Sequence, residues 1–308
     1  MNRILVTIPL NEEQKNRLHS ADENAEVEYI MQGELKESDV ADRDIIIGNI
    51  PIPFIKSANA IKWLQLNMSG YEGYPQAMPE GVPVTNTRGA FGLAISEHML
   101  GMLLMLKKRL HQYRDNQHKS LWHDEGNVTA IEGSTILIVG LGNIGGDFAR
   151  KVSALGAYTI GIKRDLSNKP EYINELYNLD KIDELIPRCD VIALSIPNDS
   201  STYKLMNRER INAMKEGAVL LNVGRGAAID TDAMTEAVSK GHILAGVDVT
   251  DPEPLPADHP LWKQENAIIT PHISGFFHLP QTLDRIVDIA CDNLKRFNKG
   301  EMLNNIVK

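Results

Sequence analysis

The stretch Gly133-Ser-Thr-Ile-Leu-Ile-Val-Gly-Leu-Gly-Asn-Ile-Gly145 constrains the fold more than any other part of the chain. Thr135–Val139 is an apolar, largely β-branched run, which reads as a strand buried on both faces. Gly140, Gly142 and Gly145 follow at once in the spacing G-x-G-x-x-G, and Phe148, Val152 and Leu155 then recur at helical spacing. Strand, glycine turn and helix together form a dinucleotide cradle. Gly140 permits the tight turn, Gly142 lets a pyrophosphate approach the backbone, and Gly145 lets helix and strand pack closely. The helix start at Asn143 and Ile144 offers unpaired N–H groups and a positive dipole end to the phosphates. The glycine spacing alone is weak, because a tight β–α turn without a ligand reads the same way. The strand before it and the helix after it make the stronger case.

The rest of the chain repeats this alternation. Strands are expected at residues 3–8, 26–31, 44–48, 63–67 and 83–86, with a helix over 11–19, which implies a small parallel α/β unit in roughly the first 90 residues. The loop Asn67-Met-Ser-Gly-Tyr71 follows one of these strands. Ligands collect at the carboxyl ends of strands in such sheets, so it reads either as a substrate loop or as an ordinary surface turn. Residues 93–110 are too broadly apolar for a surface helix and predict a buried one, its methionines serving core or subunit packing. Residues 107–126 read as a polar linker or dimer arm; His111, His118 and His123 lack the spacing of a helical zinc site, so no metal is expected. Beyond the glycine turn, strands at 135–139, 158–162, 191–196, 218–223, 243–249 and 267–270 alternate with helices at 181–186, 208–214 and 231–239. Six strands predict a doubly wound sheet, and a last helix over 279–297 is expected to return to the first unit.

At 308 residues, 43% hydrophobic and 24% charged, the chain has the makeup of a soluble globular protein of about two domains. The balance of 32 basic and 41 acidic residues, −9, argues against nucleic acid as a partner. Cys189 and Cys291 have neither metal nor disulfide spacing, which suggests a reducing compartment. No signal-peptide layout opens the sequence and no apolar run reaches the roughly 18 residues that span a membrane, so a cytoplasmic protein is expected.

In NAD-binding cradles an acidic residue about 20 positions on, at the end of the second strand, takes the ribose hydroxyls. Here that strand ends Gly161-Ile-Lys-Arg-Asp165. Lys163 and Arg164 at that place favour a 2′-phosphate, and hence NADP(H). The rival reading gives Asp165 the ribose and leaves NAD(H) as the cofactor.

Three further stretches stand at strand ends. Leu220-Leu-Asn-Val-Gly-Arg-Gly226 puts a cation in a glycine-flanked turn, Gly246-Val-Asp-Val-Thr-Asp-Pro-Glu-Pro254 carries carboxylates on a proline-stiffened loop, and Thr270-Pro-His-Ile-Ser-Gly275 presents a histidine. Arginine, glutamate and histidine together suit reduction of a 2-keto acid. The carbonyl oxygen gains negative charge as hydride arrives and needs a proton donor, a task for an imidazole oriented by a carboxylate. Arginine forks onto the substrate carboxylate and polarises the neighbouring ketone. Singly, Arg225 reads equally as a structural ion pair, Glu253 as an exposed loop acid and His272 as a strand-end cap.

Through the runs at 140–145, 211–226, 246–254 and 270–275, and the familiar Leu255-Pro-Ala-Asp-His-Pro-Leu-Trp262, the chain resembles the D-isomer-specific 2-hydroxyacid dehydrogenases over nearly its full length. The family includes D-lactate, glyoxylate/hydroxypyruvate, phosphoglycerate and formate dehydrogenases. The resemblance implies His272 as acid/base, Glu253 as its partner and Arg225 on the substrate carboxylate and carbonyl. It further implies Asp248 on the nicotinamide carboxamide, N–H groups around Ser69 and Gly70 for the substrate carboxylate, and cofactor contacts at Pro197, Val223, Gly224 and Gly275. A flavodoxin-like substrate domain (1–92 and 279–308), interrupted by a Rossmann domain (93–278), and a homodimer built on residues 93–126 also follow from it. Lys163 departs from the acid of NAD-specific members, and Ser195 from the histidine many carry before the proline. A dinucleotide-sensing binding protein on the same fold, like the C-terminal-binding-protein corepressors, is the alternative function.

Overall fold

Short apolar runs punctuated by glycine, proline and asparagine produce parallel strands throughout the chain. In the computed structural model, which describes residues 1–308, the chain divides into two units: Met1–Ala90 with Phe277–Lys308, and Phe91–Phe276.

The first unit runs β1 (Arg3–Val6), α1 (Glu12–Ala21), β2 (Glu26–Tyr29), β3 (Ile45–Ile47), β4 (Trp63–Gln65), the single turn α2 (Tyr74–Ala77) and β5 (Val84–Thr85). Its sheet order is β2-β1-β3-β4-β5, parallel at every pairing, the flavodoxin-like order. Ile45, Ile46 and Ile47 are all buried, as strands covered on both faces require. The start of α1 is set by a capping box: Gln14 N–H donates to Asn11 Oδ1 (2.9 Å) and Asn11 N–H to Gln14 Oε1 (3.0 Å), worth about 1 kcal/mol.

The second unit begins with α3 (Gly92–Lys107) and α4 (Leu110–His118). It continues β6 (Thr135–Val139), α5 (Asn143–Ala154), β7 (Tyr158–Ile162), β8 (Glu175–Tyr177), the short α6 (Ile182–Leu185), β9 (Val191–Leu194), α7 (Arg208–Asn212), β10 (Ala218–Asn222), α8 (Thr231–Ser239), β11 (Ile243–Val247) and β12 (Ala267–Ile269). The sheet order β12-β11-β10-β9-β6-β7-β8 is again parallel throughout. Its direction of growth reverses between β6 and β9, the place where doubly wound sheets bind dinucleotides. The chain then returns to the first unit as α9 (Pro280–Lys299), which packs on α1, stacks Phe297 on Trp63 at 5.6 Å between ring centroids and ends at Gly300 (φ 68°).

Three expectations change. The second sheet has seven strands rather than six, because β8 is three half-buried residues, Glu-Leu-Tyr, too short to show an alternation. The buried helix stops at Lys107, where Arg109 turns left-handed (φ 54°), instead of reaching residue 110. The polar stretch after it is helical in α4, whose sequence has no apolar stripe to betray it. No helix is long and apolar enough to cross a membrane.

Candidate active site

Register brings the candidate residues of the second unit to one edge. Ile162, Val139, Leu194, Asn222, Val247 and Ile269 are paired in a row across β7, β6, β9, β10, β11 and β12. The residues that follow them, Lys163, Gly140, Ser195, Val223, Asp248 and Thr270, therefore leave the sheet at one height. Five intervals of about 4.8 Å spread that edge over roughly 24 Å. Lys163 stands at one end, the glycine turn lies between, and Thr270-Pro-His272 stands at the other.

The three glycines of the turn have three different reasons. Gly140 is left-handed (φ 96°), and a Cβ there would lie 2.8 Å from Ser195 O. A Cβ on Gly145 would sit 2.0 Å from Gly140 O and 2.6 Å from Ser195 Oγ. A Cβ on Gly142 would meet no atom within 4 Å, so the protein itself does not need that glycine. A ligand approaching the backbone does. At the start of α5 no side chain caps the helix and the first turn carries no acid. The N–H groups of Asn143, Ile144 and Gly145 donate to no protein atom. Open space and a row of unpaired donors at a positive helix end fit a pyrophosphate. Ser195, first met as a departure from the family, fastens this turn: its Oγ donates to Gly140 O at 2.9 Å.

At the β7 end of this edge, Lys163 N–H pairs with Tyr177 O (3.0 Å) and the Arg164 guanidinium, 84% exposed, pairs with Asp199 at 2.7 Å. The Ser167 hydroxyl and N–H hold the Asp165 carboxyl below its ordinary range, the N–H bond measuring 2.9 Å. Pro197 O accepts from Thr202 Oγ1 at 2.8 Å.

Across the edge, Arg225 lies between glycines that packing demands. A Cβ on Gly224 would come within 2.5 Å of Ile196 O, and one on Gly226 within 1.9 Å of Thr250 O. Buried Asn222 clamps this turn, donating to Arg225 O (2.9 Å) and accepting from Gly224 N–H (3.0 Å). Arg225 Nη1 donates back to Gly224 O at 2.9 Å, and Val223 N–H continues the ladder to Leu194 O. His272 Nδ1 lies 2.6 Å from Glu253 Oε1, with both side chains half-exposed. A carboxylate only accepts, so Nδ1 carries the proton and Nε2 is the nitrogen left for chemistry. His272 holds a left-handed backbone (φ 52°), a strain of about 1–3 kcal/mol that its surroundings must sustain. Gly275 ends the loop, and a Cβ there would press on Ile95 of α3 at 3.3 Å from its Cδ1.

Asp248 supplies that support. It is 1% exposed. Its Oδ1 accepts from Thr270 Oγ1 (2.6 Å) and Ile273 N–H (3.0 Å), its Oδ2 from Ser274 N–H (3.1 Å) and the Ser274 hydroxyl, and its backbone oxygen from His272 N–H (2.8 Å). The carboxylate that the resemblance places on a nicotinamide carboxamide thus accepts four hydrogen bonds from the loop that carries His272. The supporting roles of Thr270, Ser274, Ser195 and Asn222 escaped the sequence reading, although all four stand in stretches it singled out. A small polar residue just past a strand end is the only signal of such a role.

In the first unit, the Asn67-Met-Ser-Gly-Tyr71 loop is held by a reciprocal pair of buried asparagines. Asn49 N–H donates to Asn67 Oδ1 (2.8 Å) and Asn67 N–H to Asn49 Oδ1 (3.1 Å). Asn86 Nδ2 donates to Ser69 O at 2.8 Å. The N–H groups of Ser69 and Gly70 donate to no protein atom. His111 spans two carbonyl oxygens, Met105 O and Glu265 O, and no three His, Cys, Asp or Glu side chains converge as metal ligands.

Residues 100–274 match the family model described as D-isomer specific 2-hydroxyacid dehydrogenase, NAD binding domain. A hydroxypyruvate reductase of Blautia hydrogenotrophica is 30% identical over 285 residues, 88% of this chain and 87% of that protein. A glyoxylate reductase of Thermofilum pendens is 31% identical over 236 residues, 74% of this chain and 68% of that one. A solved D-isomer specific 2-hydroxyacid dehydrogenase family protein from Aeromonas salmonicida is 30% identical, with a TM-score of 0.88 over 100% of this chain and 99% of that chain. The corepressor-like alternative draws no support from these relatives.

Proposed function

The chain belongs to the D-isomer-specific 2-hydroxyacid dehydrogenase family and is a nicotinamide-dependent oxidoreductase of 2-hydroxy acids, and from that premise we propose that it reduces a small 2-keto acid with NADPH, His272 supplying the proton. One observation carries the assignment: the 2.6 Å pair of His272 and Glu253 stands on the same sheet edge as the glycine cradle.

When bound, the nicotinamide supplies a hydride to the keto carbon or takes one from the alcohol. His272 Nε2 gives its proton to the carbonyl oxygen as negative charge gathers there, and takes it back in the reverse direction. Glu253 holds the ring through Nδ1–H and balances the charge of the protonated imidazole. Arg225, fixed by its glycine-flanked turn, neutralises a carboxylate and draws electron density from the ketone. The unpaired N–H groups of Ser69 and Gly70 suit a carboxylate as well. Asp248 is assigned here to holding the His272 loop. The preference for NADPH rests on Lys163 and Arg164: an exposed ion pair such as Arg164–Asp199 is weak and screened by solvent, so a phosphate displaces Asp199 at little cost.

A homodimer is the favoured assembly, because Leu110, Leu121, Trp122 and Val128 expose apolar surface along one segment. A cytoplasmic site is consistent with two free, buried thiols.

The test is a screen of NADPH oxidation with glyoxylate, hydroxypyruvate, pyruvate, 2-ketoisocaproate and phenylpyruvate, run beside His272→Ala. Removing the proton donor lowers kcat by about 10²–10⁴-fold with NADPH still bound; unchanged turnover overturns the assignment. Comparison of kcat/KM for NADPH and NADH, in wild type and Arg164→Ala, tests the cofactor. A wild-type preference for NADH refutes that part alone.

A further inference from the structure

His272 keeps a strained backbone because Asp248 gathers the N–H groups around it, and one further residue stands behind Asp248. His98, half-buried on α3, places Nε2 3.0 Å from Thr270 Oγ1. Thr270 Oγ1 in turn lies 2.6 Å from Asp248 Oδ1. The direct separation of His98 Nε2 and Asp248 Oδ1, 4.0 Å, is beyond hydrogen-bond reach. The hydroxyl is therefore the link.

Proton counting gives the chain a direction. A threonine hydroxyl has one proton. Each Asp248 oxygen already accepts a backbone N–H, from Ile273 or Ser274, so Asp248 acts as acceptor and the Thr270 proton points to it. The Thr270 oxygen is then left to accept, and His98 must donate from Nε2. The series runs His98 Nε2–H to Thr270 Oγ1–H to Asp248 Oδ1, and from the Asp248 carboxylate to the backbone N–H groups of Ile273 and Ser274 just after His272. Removing His98 leaves the hydroxyl short of a donor and free to rotate away from Asp248, which loosens the one carboxylate that holds the loop.

From these contacts we infer that His98 is a positioning residue for the acid/base His272, acting from α3 through the Thr270 hydroxyl and Asp248. The inference rests on the reading of His272 given above. His98 touches no reacting atom. It fixes the place from which His272 acts.

Four substitutions in the full-length chain test this: His98→Leu, His98→Gln, Thr270→Val and Thr270→Ser. The readouts are kcat with the best 2-keto acid, the Kd for NADPH by fluorescence, and amide exchange of residues 270–276 in the cofactor-free protein. Misplacing a catalytic group by a fraction of an ångström to an ångström lowers kcat about tenfold or more. His98→Leu and Thr270→Val each show that loss, with faster exchange at Ile273 and Ser274 and Kd unchanged within about twofold. Thr270→Ser, which keeps the hydroxyl, and His98→Gln, which keeps a donor, stay near wild type. The double variant is no worse than the poorer single one, because both break one series. Wild-type kcat and exchange in His98→Leu, or losses that add in the double variant, overturn the inference. If His98→Leu does not fold, His98→Gln against the two Thr270 variants decides the matter by the same readouts. Retained turnover in His272→Ala sinks the acid/base reading instead, and the exchange data still judge the His98 link.

Discussion

Replacing Gly142 and Gly145 separately by alanine separates what the fold needs from what a ligand needs. At Gly145 the new methyl would lie 2.0 Å from Gly140 O, whereas real Cβ contacts begin at 3.0 Å or more. The backbone of the turn or the start of α5 must move by roughly 1 Å, an overpacking that costs about 1–3 kcal/mol. For a unit of this size each kcal/mol lowers Tm by about 2–4 °C. At Gly142 the methyl meets nothing within 4 Å, and the backbone there (φ −79°, ψ −159°) is extended and open to any L-residue. Alanine at 142 therefore changes stability by no more than about 1 kcal/mol, the lower entropy of the unfolded chain being set against poorer capping at this N-cap position. Its methyl occupies the space where a pyrophosphate would approach, so NADPH affinity falls by at least about tenfold, 1.4 kcal/mol. Thermal unfolding and a fluorescence titration read the two quantities independently. Gly145→Ala loses both stability and binding; Gly142→Ala loses binding alone. Undiminished NADPH affinity in Gly142→Ala refutes the cradle, and a large drop in its Tm refutes the steric account.

Other outcomes follow from single side chains. Glu253→Gln keeps an acceptor for His272 Nδ1–H but removes the balancing charge, so kcat falls about 10²-fold while the Kd for NADPH holds; equal kcat in rapid-mix kinetics would dismiss the pair. Burial pushes the Cys189 thiol up to about 12 and the Cys291 thiol up to about 11. Neither is labelled by iodoacetamide at about pH 8 until the chain unfolds, and prompt native labelling contradicts this. The ammonium of Lys107, a residue 6% exposed, donates to the Thr129 and Ser134 hydroxyls at 3.2 and 3.1 Å, and burial lowers its pKa against the opposing pull of Asp190. Below the ordinary lysine value the unfolded chain then binds more protons there than the native one, so its stability contribution rises with pH into that range. The stability of wild type relative to Lys107→Met accordingly increases as pH climbs toward about 10 in denaturant titrations, and a pH-independent difference removes the claim.

What the sequence by itself determined is what depends on neighbours along the chain. Thr135–Val139 reads as a two-face-buried strand, and the glycines after it as a turn, because period and steric freedom are local properties. Arg225, Glu253 and His272 were legible for a related reason: each follows a strand closely in sequence, and strands of a parallel sheet end on one edge. The three-residue β8 and the uncapped, polar α4 were not legible, since neither carries a period.

Tertiary structure alone decided which groups meet. The Gly145 side of the turn touches Ser195, 50 residues away, and Asp248 meets Thr270, Ile273 and Ser274. Both placements depend on the pairing of β6 with β9 and of β11 with β12, which no local pattern encodes. A hydrogen bond depends on separation in space to within a few tenths of an ångström, and that is fixed only when the register of the whole sheet is fixed. The chemistry at His272 was thus readable from its residue type and loop; the backbone that aims it was set by strands elsewhere in the chain.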